Sequence, residues 1–389
     1  MTTRFELGSD HEDFRQVVAD FAARDLAPHV ERWNAAHEAP LEAVKLMGDL
    51  GLFSLGGPEE YGGSGDFTSL CIAIEEIGRV DQSLGITLEA AVGLGSGPIA
   101  RFGTPVQQQR WLPDLLAGHA LAAFGLTEPD AGSDAGATRT RAELRDGTWV
   151  VNGNKQFITN SGTDITILCT VTARTGTRED GKPEISAIVV PTGTPGLVVG
   201  PAYAKLGWHA SDTHPLTLTD VKVGEDHLLG VRGHGYGQFL SVLDDGRVAI
   251  AALALGCIRA CRDLAVAYAG ERVCFGGPIG RKQGVAFPLA DLDVMAAAAH
   301  QLVYAAAAMR DAGADARAFN RAAAIAKLYA TESAVTAARI ASQVFGGYGF
   351  MEEYPIARFY RDAKVLEIGE GTSEVQRLLI ARRLGLPVE

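Results

Sequence analysis

The chain has 389 residues but only five cysteines, Cys71, Cys169, Cys257, Cys261 and Cys274. The number is odd and the spacing is not that of a paired site, so a disulfide framework is excluded and reduced thiols are expected. Cys257 and Cys261 would share a helical face, but no histidine stands near them. They read as small buried hydrophobes rather than metal ligands. Long basic runs are also missing, and the net charge of −12 argues against a phosphate-backbone binder. No nucleic-acid partner is expected. Met1 to Asp10 carry neither an apolar core nor an arginine-rich amphipathic pattern, and no apolar stretch looks long and charge-free enough to span a bilayer. A cytoplasmic protein without a membrane span is the expectation. Finally, no Gly-x-Gly-x-x-Gly follows a strand and opens a helix. Gly233-His234-Gly235-Tyr236-Gly237 has the wrong spacing, so a Rossmann dinucleotide site is not supported.

What is present divides into three zones: 47% hydrophobic content and 46 glycines allow a large core shared by two or three domains. From Asp10 to about Gly118, apolar residues recur at three and four, as in Phe14, Val17, Val18 and Phe21, which predicts helices. Between Leu121 and about Gly230 the pattern changes to short β-rich runs: Ile165 to Val171, Ile185 to Val190, Leu197 to Val199 and Leu216 to Val223. Asn152-Gly153, between Trp149-Val150-Val151 and Lys155 to Thr159, predicts a tight hairpin turn. From Tyr236 onward, alanine-rich segments such as Val294 to Met309 and Ala322 to Ile340 predict long helices in an antiparallel bundle. The predicted boundaries are 1–120 for the N-terminal helical domain, 121–232 for a β-sheet or barrel domain and 233–389 for a four-helix bundle. The fold class is mainly α with a central β domain.

The densest chemistry lies near the C-terminus, where Glu370 stands between Gly369 and Gly371. A carboxylate flanked by residues without side chains can approach a ligand closely. Thr372 or Ser373 would cap the following helix, so a base would sit at a helix mouth.

Five segments in register carry a resemblance: Leu126-Thr127-Glu128-Pro129-Asp130-Ala131-Gly132-Ser133-Asp134; Phe157-Ile158-Thr159-Asn160; Arg272 with Phe275 and Gly276; Gln343 to Gly349; and Glu370 to Glu374. Over essentially its full length the chain resembles the FAD-dependent acyl-CoA dehydrogenase family. The resemblance implies removal of two hydrogens across Cα and Cβ of an acyl thioester. Glu370 would take the α-proton and flavin N5 the hydride from Cβ. It implies flavin contacts at Phe124, Leu126, Thr127, Ser133, Phe157, Ile158, Thr159, Arg272, Cys274, Phe275, Gln283, Gln343, Val344, Phe345, Gly346, Gly347, Thr372 and Glu374. Substrate contacts are implied at Ser133, Leu243, Asp244, Arg247, Gly369, Gly371 and Arg382.

Arg272 would meet the FAD pyrophosphate through its planar donor fork. Gln343 to Gly347 would reach the adenine end across a subunit boundary, so the resemblance implies a homo-oligomer, with a tetramer as the expectation. An electron-transferring flavoprotein is the implied electron acceptor. Some relatives place the base on the first bundle helix, where this chain has Gly246, with Asp245 one residue out of register. Gly369 leaves room beside the thioester, compatible with short or branched acyl groups of fatty-acid or branched-chain metabolism. His209 replaces an arginine common in the Leu206 to Thr213 segment. An acyl-carrier-protein thioester, a flavin oxidase or monooxygenase, and a non-catalytic binding member are the alternative expectations on the same scaffold.

Overall fold

The structure, a computed structural model, describes residues 5–388. The first four positions of the stretch read above for a leader lie outside the described residues. The N-terminal helices are α1 (Ser9–Phe21), α2 (Val30–Ala36), α3 (Leu41–Asp49), α4 (Phe67–Val80), α5 (Gln82–Glu89), α6 (Gly97–Phe102) and α7 (Pro105–Leu116). Their starts follow ordinary capping chemistry. Asp66 and Asp81 accept from Ser69 N and Leu84 N ahead of α4 and α5, and Thr104 forms a capping box with Gln107 ahead of Pro105. Helix α5 continues through a wider π-helical turn, Ala90–Ser96, into α6. Such turns often occur at functional sites.

The β zone contains β1 (Leu121–Gly125), β2 (Arg141–Arg145), β3 (Thr148–Thr159), β4 (Thr166–Thr177), β5 (Pro183–Pro191), β6 (Leu197–Val199), β7 (Thr213–Gly224) and β8 (Leu228–Leu229). Their order is β6-β7-β3-β2-β4-β5-β8, with β1 pairing parallel to β4. The hairpin expected at Asn152-Gly153 is not there. Gly153 interrupts the register of the continuous strand β3, and a Cβ on it would stand 2.7 Å from Thr140 Cα. Glycine here marks a bulge under a close backbone approach rather than a turn. The hairpin turn is Asp146-Gly147, with both residues at positive φ (48° and 74°) between β2 and β3. That is the geometry of a type I′ turn.

After β8 come α8 (Gly235–Glu271), the short pair β9 (Val273–Cys274) and β10 (Gly277–Pro278), then α9 (Gln283–Asp311), α10 (Ala316–Phe345), α11 (Pro355–Leu366) and α12 (Ser373–Arg383). Helix α8 packs against α4, α9 and α10, and from Val248 to Ile258 every residue is buried. A helix apolar on all sides belongs inside a helical assembly. Cys257 and Cys261 are among its fully buried residues, and no group of metal-ligating side chains occurs among the described residues.

By length and composition, α9 could cross a membrane, with an 18-residue window of mean hydropathy 1.3. Asp291, Asp293 and Arg310 interrupt the helix, so the expectation that no charge-free stretch is long enough is not overturned. Leu292, Ala296, Ala299, Val303 and Ala307 of α9 are buried in the same core as α8 and α10, where alanine permits close helix approach. A second core lies between α6, α7 and the sheet and includes Phe239 of α8, whose ring stacks on Phe124 at 4.0 Å. Through that contact the sheet is held against the start of the bundle.

Candidate active site

Glu370 stands in the turn between α11 and α12. Thr372 is the cap of α12, its hydroxyl accepting from Val375 N at 3.3 Å, and Ser373 N donates to Glu367 O at 3.0 Å. Glu370 has φ of +50°, unusual for a residue with a side chain, and is followed by Gly371 at +94°. Two donors fix this conformation: Lys327 Nζ and Gln376 Nε2 each lie 2.8 Å from the Gly371 carbonyl. The residue is half-buried, yet both carboxylate oxygens are enclosed and without a hydrogen-bond partner. A Cβ on Gly246 of α8 would overlap Glu370 Oε2. The glycine is therefore required where some relatives carry their base.

Burial pushes the Glu370 carboxyl up to about 7, against the opposing pull of Glu89, Lys327 and Arg247. A carboxylate so placed is a far better base at neutral pH than one with the ordinary value near 4.3. Glu89, at the end of α5, is fully buried, and burial together with Glu370 pushes it well above the usual carboxylate range. Lys327 is fully buried and is lowered to about 8 by desolvation. Neither Glu89 nor Lys327 was singled out from sequence, although a charged residue inside an unbroken small or apolar run is a signal, since such groups are rarely buried unpaired.

Around this centre, Arg247 pairs with Asp244, which also accepts from Asn320 Nδ2 at 2.7 Å. Arg383 Nε reaches Asn320 Oδ1 at 3.0 Å. Arg382, expected near the substrate, is exposed, and among the described residues its side chain reaches Val388 O, apart from this group. Leu243 is half-buried on the same helix. Asp245, the near-miss for the base, is held by Arg101 at 3.2 Å and Arg310 at 2.9 Å.

The loop after β1 is set by a buried ion pair that the sequence reading did not assign. Lys155 Nζ on β3 lies 2.8 Å from Glu128 Oε1 and 3.2 Å from Leu126 O, and Glu128 also accepts from Arg139 N and from Thr138 and Thr140. Burial would raise Glu128, but Lys155 and these donors hold it at about 2. The same burial pulls Lys155 down, and the direct contact shows why the pair is nonetheless kept. Thr127 is half-buried, its carbonyl accepting from Gln156 N at 2.9 Å, and Ser133 is exposed. Ile158 is core, whereas Phe157 is 59% exposed at φ of +61°, tilted against Tyr203. Left to packing alone, an aromatic in a strand would turn inward; this one offers its face outward, with Thr159 half-buried beside it.

A groove of about 510 Å³ is lined by Tyr268, Arg272, Cys274, Phe345, Gly346 and Tyr348, among others, so six of the residues read from sequence (Arg272, Cys274, Val344, Phe345, Gly346 and Gly347) meet there. Gly346 also ends α10, at φ of +60°, and a Cβ on Gly346 or Gly347 would meet nothing. Arg272 has no carboxylate partner among the described residues and lies 5.7 Å from the Tyr348 ring centre. An unpaired guanidinium beside open backbone suits a diphosphate-bearing ligand. Phe275 is 90% exposed, and Gln283 and Gln343 are exposed without lining the groove. Glu374 is exposed in the first turn of α12.

The Leu206 to Thr213 segment docks on α11, with Trp208 N donating to buried Asp362 at 2.6 Å. His209 stacks on His37 at 4.0 Å and bonds to Lys205 O. His209 thereby packs against the N-terminal helices.

The chain matches the family models for the acyl-CoA dehydrogenase N-terminal domain (residues 8–119), middle domain (123–221) and C-terminal domain (233–385). It is 47% identical to the probable acyl-CoA dehydrogenase YngJ of Bacillus subtilis (strain 168), over 98% of this chain and 99% of that one. It is 40% identical to the mitochondrial short-chain specific acyl-CoA dehydrogenase of Mus musculus, over 97% and 91%. Butyryl-CoA dehydrogenase from Megasphaera elsdenii superposes with a TM-score of 0.93 at 39% identity, covering 98% of this chain and all of that one. A chain solved in work on the electron transferring flavoprotein of Acidaminococcus fermentans also reaches 0.93 at 39%, over 98% and 99%. A Mycobacterium smegmatis glutaryl-CoA dehydrogenase solved with FADH2 reaches 0.91 at 30%, over 97% and 95%. Three domain matches in order and close relatives over nearly the full length establish that the chain belongs to the acyl-CoA dehydrogenase family, oxidoreductases whose cofactor is FAD.

Proposed function

We propose that the protein dehydrogenates a short or branched acyl-CoA at the α,β position to the trans-2-enoyl-CoA, with Glu370 as the base that removes the α-proton. The observation that carries this reading is the Glu370 carboxylate itself: enclosed, unpartnered, raised to about 7 and facing a space cleared by Gly246. Burial that raises the carboxyl also suits it to hold the abstracted proton.

The remaining roles are assigned to residues whose placement suits them. Arg272, with Cys274, Phe275, Gln283 and the Gln343 to Gly347 segment, would hold the diphosphate and adenine parts of FAD. Phe124, Leu126, Thr127, Ser133, Phe157, Ile158 and Thr159 would hold its ring, and Thr372 and Glu374 would border it at the mouth of α12. Bound FAD supplies the acceptor for the hydride leaving Cβ. Leu243, Asp244, Arg247, Gly369 and Gly371 would border the acyl thioester, with Ser133 and Arg382 further along it. The short-chain and butyryl-CoA relatives support a small acyl group, as does Gly369 beside the base. Transfer of electrons to an electron-transferring flavoprotein, a homotetramer and a cytoplasmic location complete the reading, and the exposed Gln343 and Phe275 suit a subunit contact.

The test is an anaerobic titration of the purified protein with butyryl-, isobutyryl- and octanoyl-CoA while the flavin absorbance is followed. Bleaching by the small thioesters supports the reading. A flavin left oxidised by all three, and reduced only by a carrier-protein thioester, would replace it.

A further inference from the structure

Glu89 has no counterpart among the residues assigned above, yet it faces the same space as the base. A Cβ on Gly93, in the π-helical turn that follows, would stand 2.9 Å from Glu89 Oε1, so the absence of a side chain there makes room for the carboxyl. Across α8, the point where a Cβ on Gly246 would overlap Glu370 lies 3.5 Å from Glu89 Oε1. The two carboxyls therefore flank one side-chain-free spot. All four oxygens are sealed from solvent and no N–H or O–H of another residue reaches them, while the two carboxyls lie within hydrogen-bonding reach of each other.

The charged groups facing the pair are unequally shared. Arg247 from α8 and Lys327 from α10 act on Glu370; Asp244 engages Arg247, and Glu367 and Glu374 act on Lys327. Only Glu370 acts on Glu89. Two buried carboxyls at this separation cannot both ionise without a large cost, so the pair holds one proton near neutral pH. The carboxyl with two cations ionises, and the carboxyl with none keeps the proton. A neutral partner also avoids placing a second negative charge beside the enolate that develops on the thioester.

We propose that Glu89 is a positioning residue for the base: as a neutral acid it donates a hydrogen bond to the Glu370 carboxylate, orienting it and leaving one oxygen free for the α-proton. The inference rests on Glu370 being the base and adds a second carboxyl to that reading. It also accounts for two otherwise unsatisfied buried groups at a functional site.

The test uses FAD-loaded Glu89→Gln, Glu89→Leu and Glu370→Gln beside wild type. Without substrate, difference infrared spectra at neutral pH should show one protonated-carboxyl C=O stretch of wild type and Glu370→Gln that both Glu89 variants lack, over a band from buried Asp362 common to all four proteins. With butyryl-CoA, the acid limb of the flavin-reduction rate should move up by about one pH unit in Glu89→Leu, which has lost the donor. It should stay within a few tenths of a unit in Glu89→Gln, which keeps one. An unmoved or downward limb in Glu89→Leu overturns the proposal, as does a wild-type minus Glu89→Gln difference spectrum in which no carboxyl band is lost. If Glu89→Leu does not fold, the infrared comparison of Glu89→Gln with wild type decides. Persistent flavin reduction in Glu370→Gln would sink the base reading instead, and leaves the infrared result readable by itself.

Discussion

Lys327 Nζ donates to the Gly371 carbonyl over 2.8 Å, so a fully buried lysine on α10 fixes the peptide that follows Glu370. Replacing it with methionine preserves length and apolar packing but leaves that carbonyl one donor short. A lost bond from a charged donor costs about 1.5–3 kcal/mol, so Lys327→Met should unfold at a lower temperature. Thioester binding should persist while flavin reduction slows, because the base is no longer held in its left-handed conformation. Stopped-flow reduction beside a thermal melt separates the two effects.

Gly246→Ala should be far more harmful than a surface substitution in the middle of a helix. The new methyl would overlap Glu370 Oε2, and the carboxylate must move. A displacement of about 1 Å at a reacting group can cost roughly a hundredfold in rate. Rapid-reaction kinetics should show that loss with FAD content unchanged.

Lys155→Met would strand the Glu128 carboxylate in a buried site that now holds its carboxyl at about 2. Breaking a buried pair on one side costs about 3–5 kcal/mol. The expected result is a large fall in the unfolding midpoint. Lys155→Met combined with Glu128→Gln should recover part of it, as a double-mutant cycle would show.

Arg272→Ala removes the unpaired guanidinium from the groove by Tyr348 and Gly346. Loss of a charge-assisted contact should weaken FAD binding roughly tenfold to a hundredfold. Flavin fluorescence released on dilution measures this directly.

Stability should fall as pH rises through neutrality because of Asp362. Burial, and then the charge of Asp81, raise its carboxyl to about 7 from an ordinary value of 3.8. The folded chain therefore favours the protonated form. This contribution is complete below the unfolded value and is lost as pH climbs through the folded one. Asp362→Asn, which imitates the neutral acid, should show a flatter dependence of the urea midpoint between those limits. Glu370 contributes in the same direction, while catalysis rises with its ionisation, so activity and stability should oppose each other near pH 7.

The α, β, α order and the long bundle helices were legible because hydrophobic period and alanine content are local properties. The Asn152-Gly153 hairpin was misread for a related reason. The dipeptide favours a turn, but the requirement actually met by Gly153 comes from Thr140, a tertiary contact that a local pattern does not contain. Glu370 was visible through its two flanking glycines. Glu89 and Lys327 lie within ordinary-looking helical sequence, and only packing shows that one faces the base and the other holds its loop.

The central claim is that Glu370 removes the α-proton. Anaerobic mixing of FAD-loaded Glu370→Gln and wild type with butyryl-CoA tests it most directly. The account predicts that both bind the thioester with similar affinity and that only wild type bleaches its flavin, the variant being slowed by at least about a thousandfold. Reduction of the Glu370→Gln flavin at the wild-type rate would contradict it.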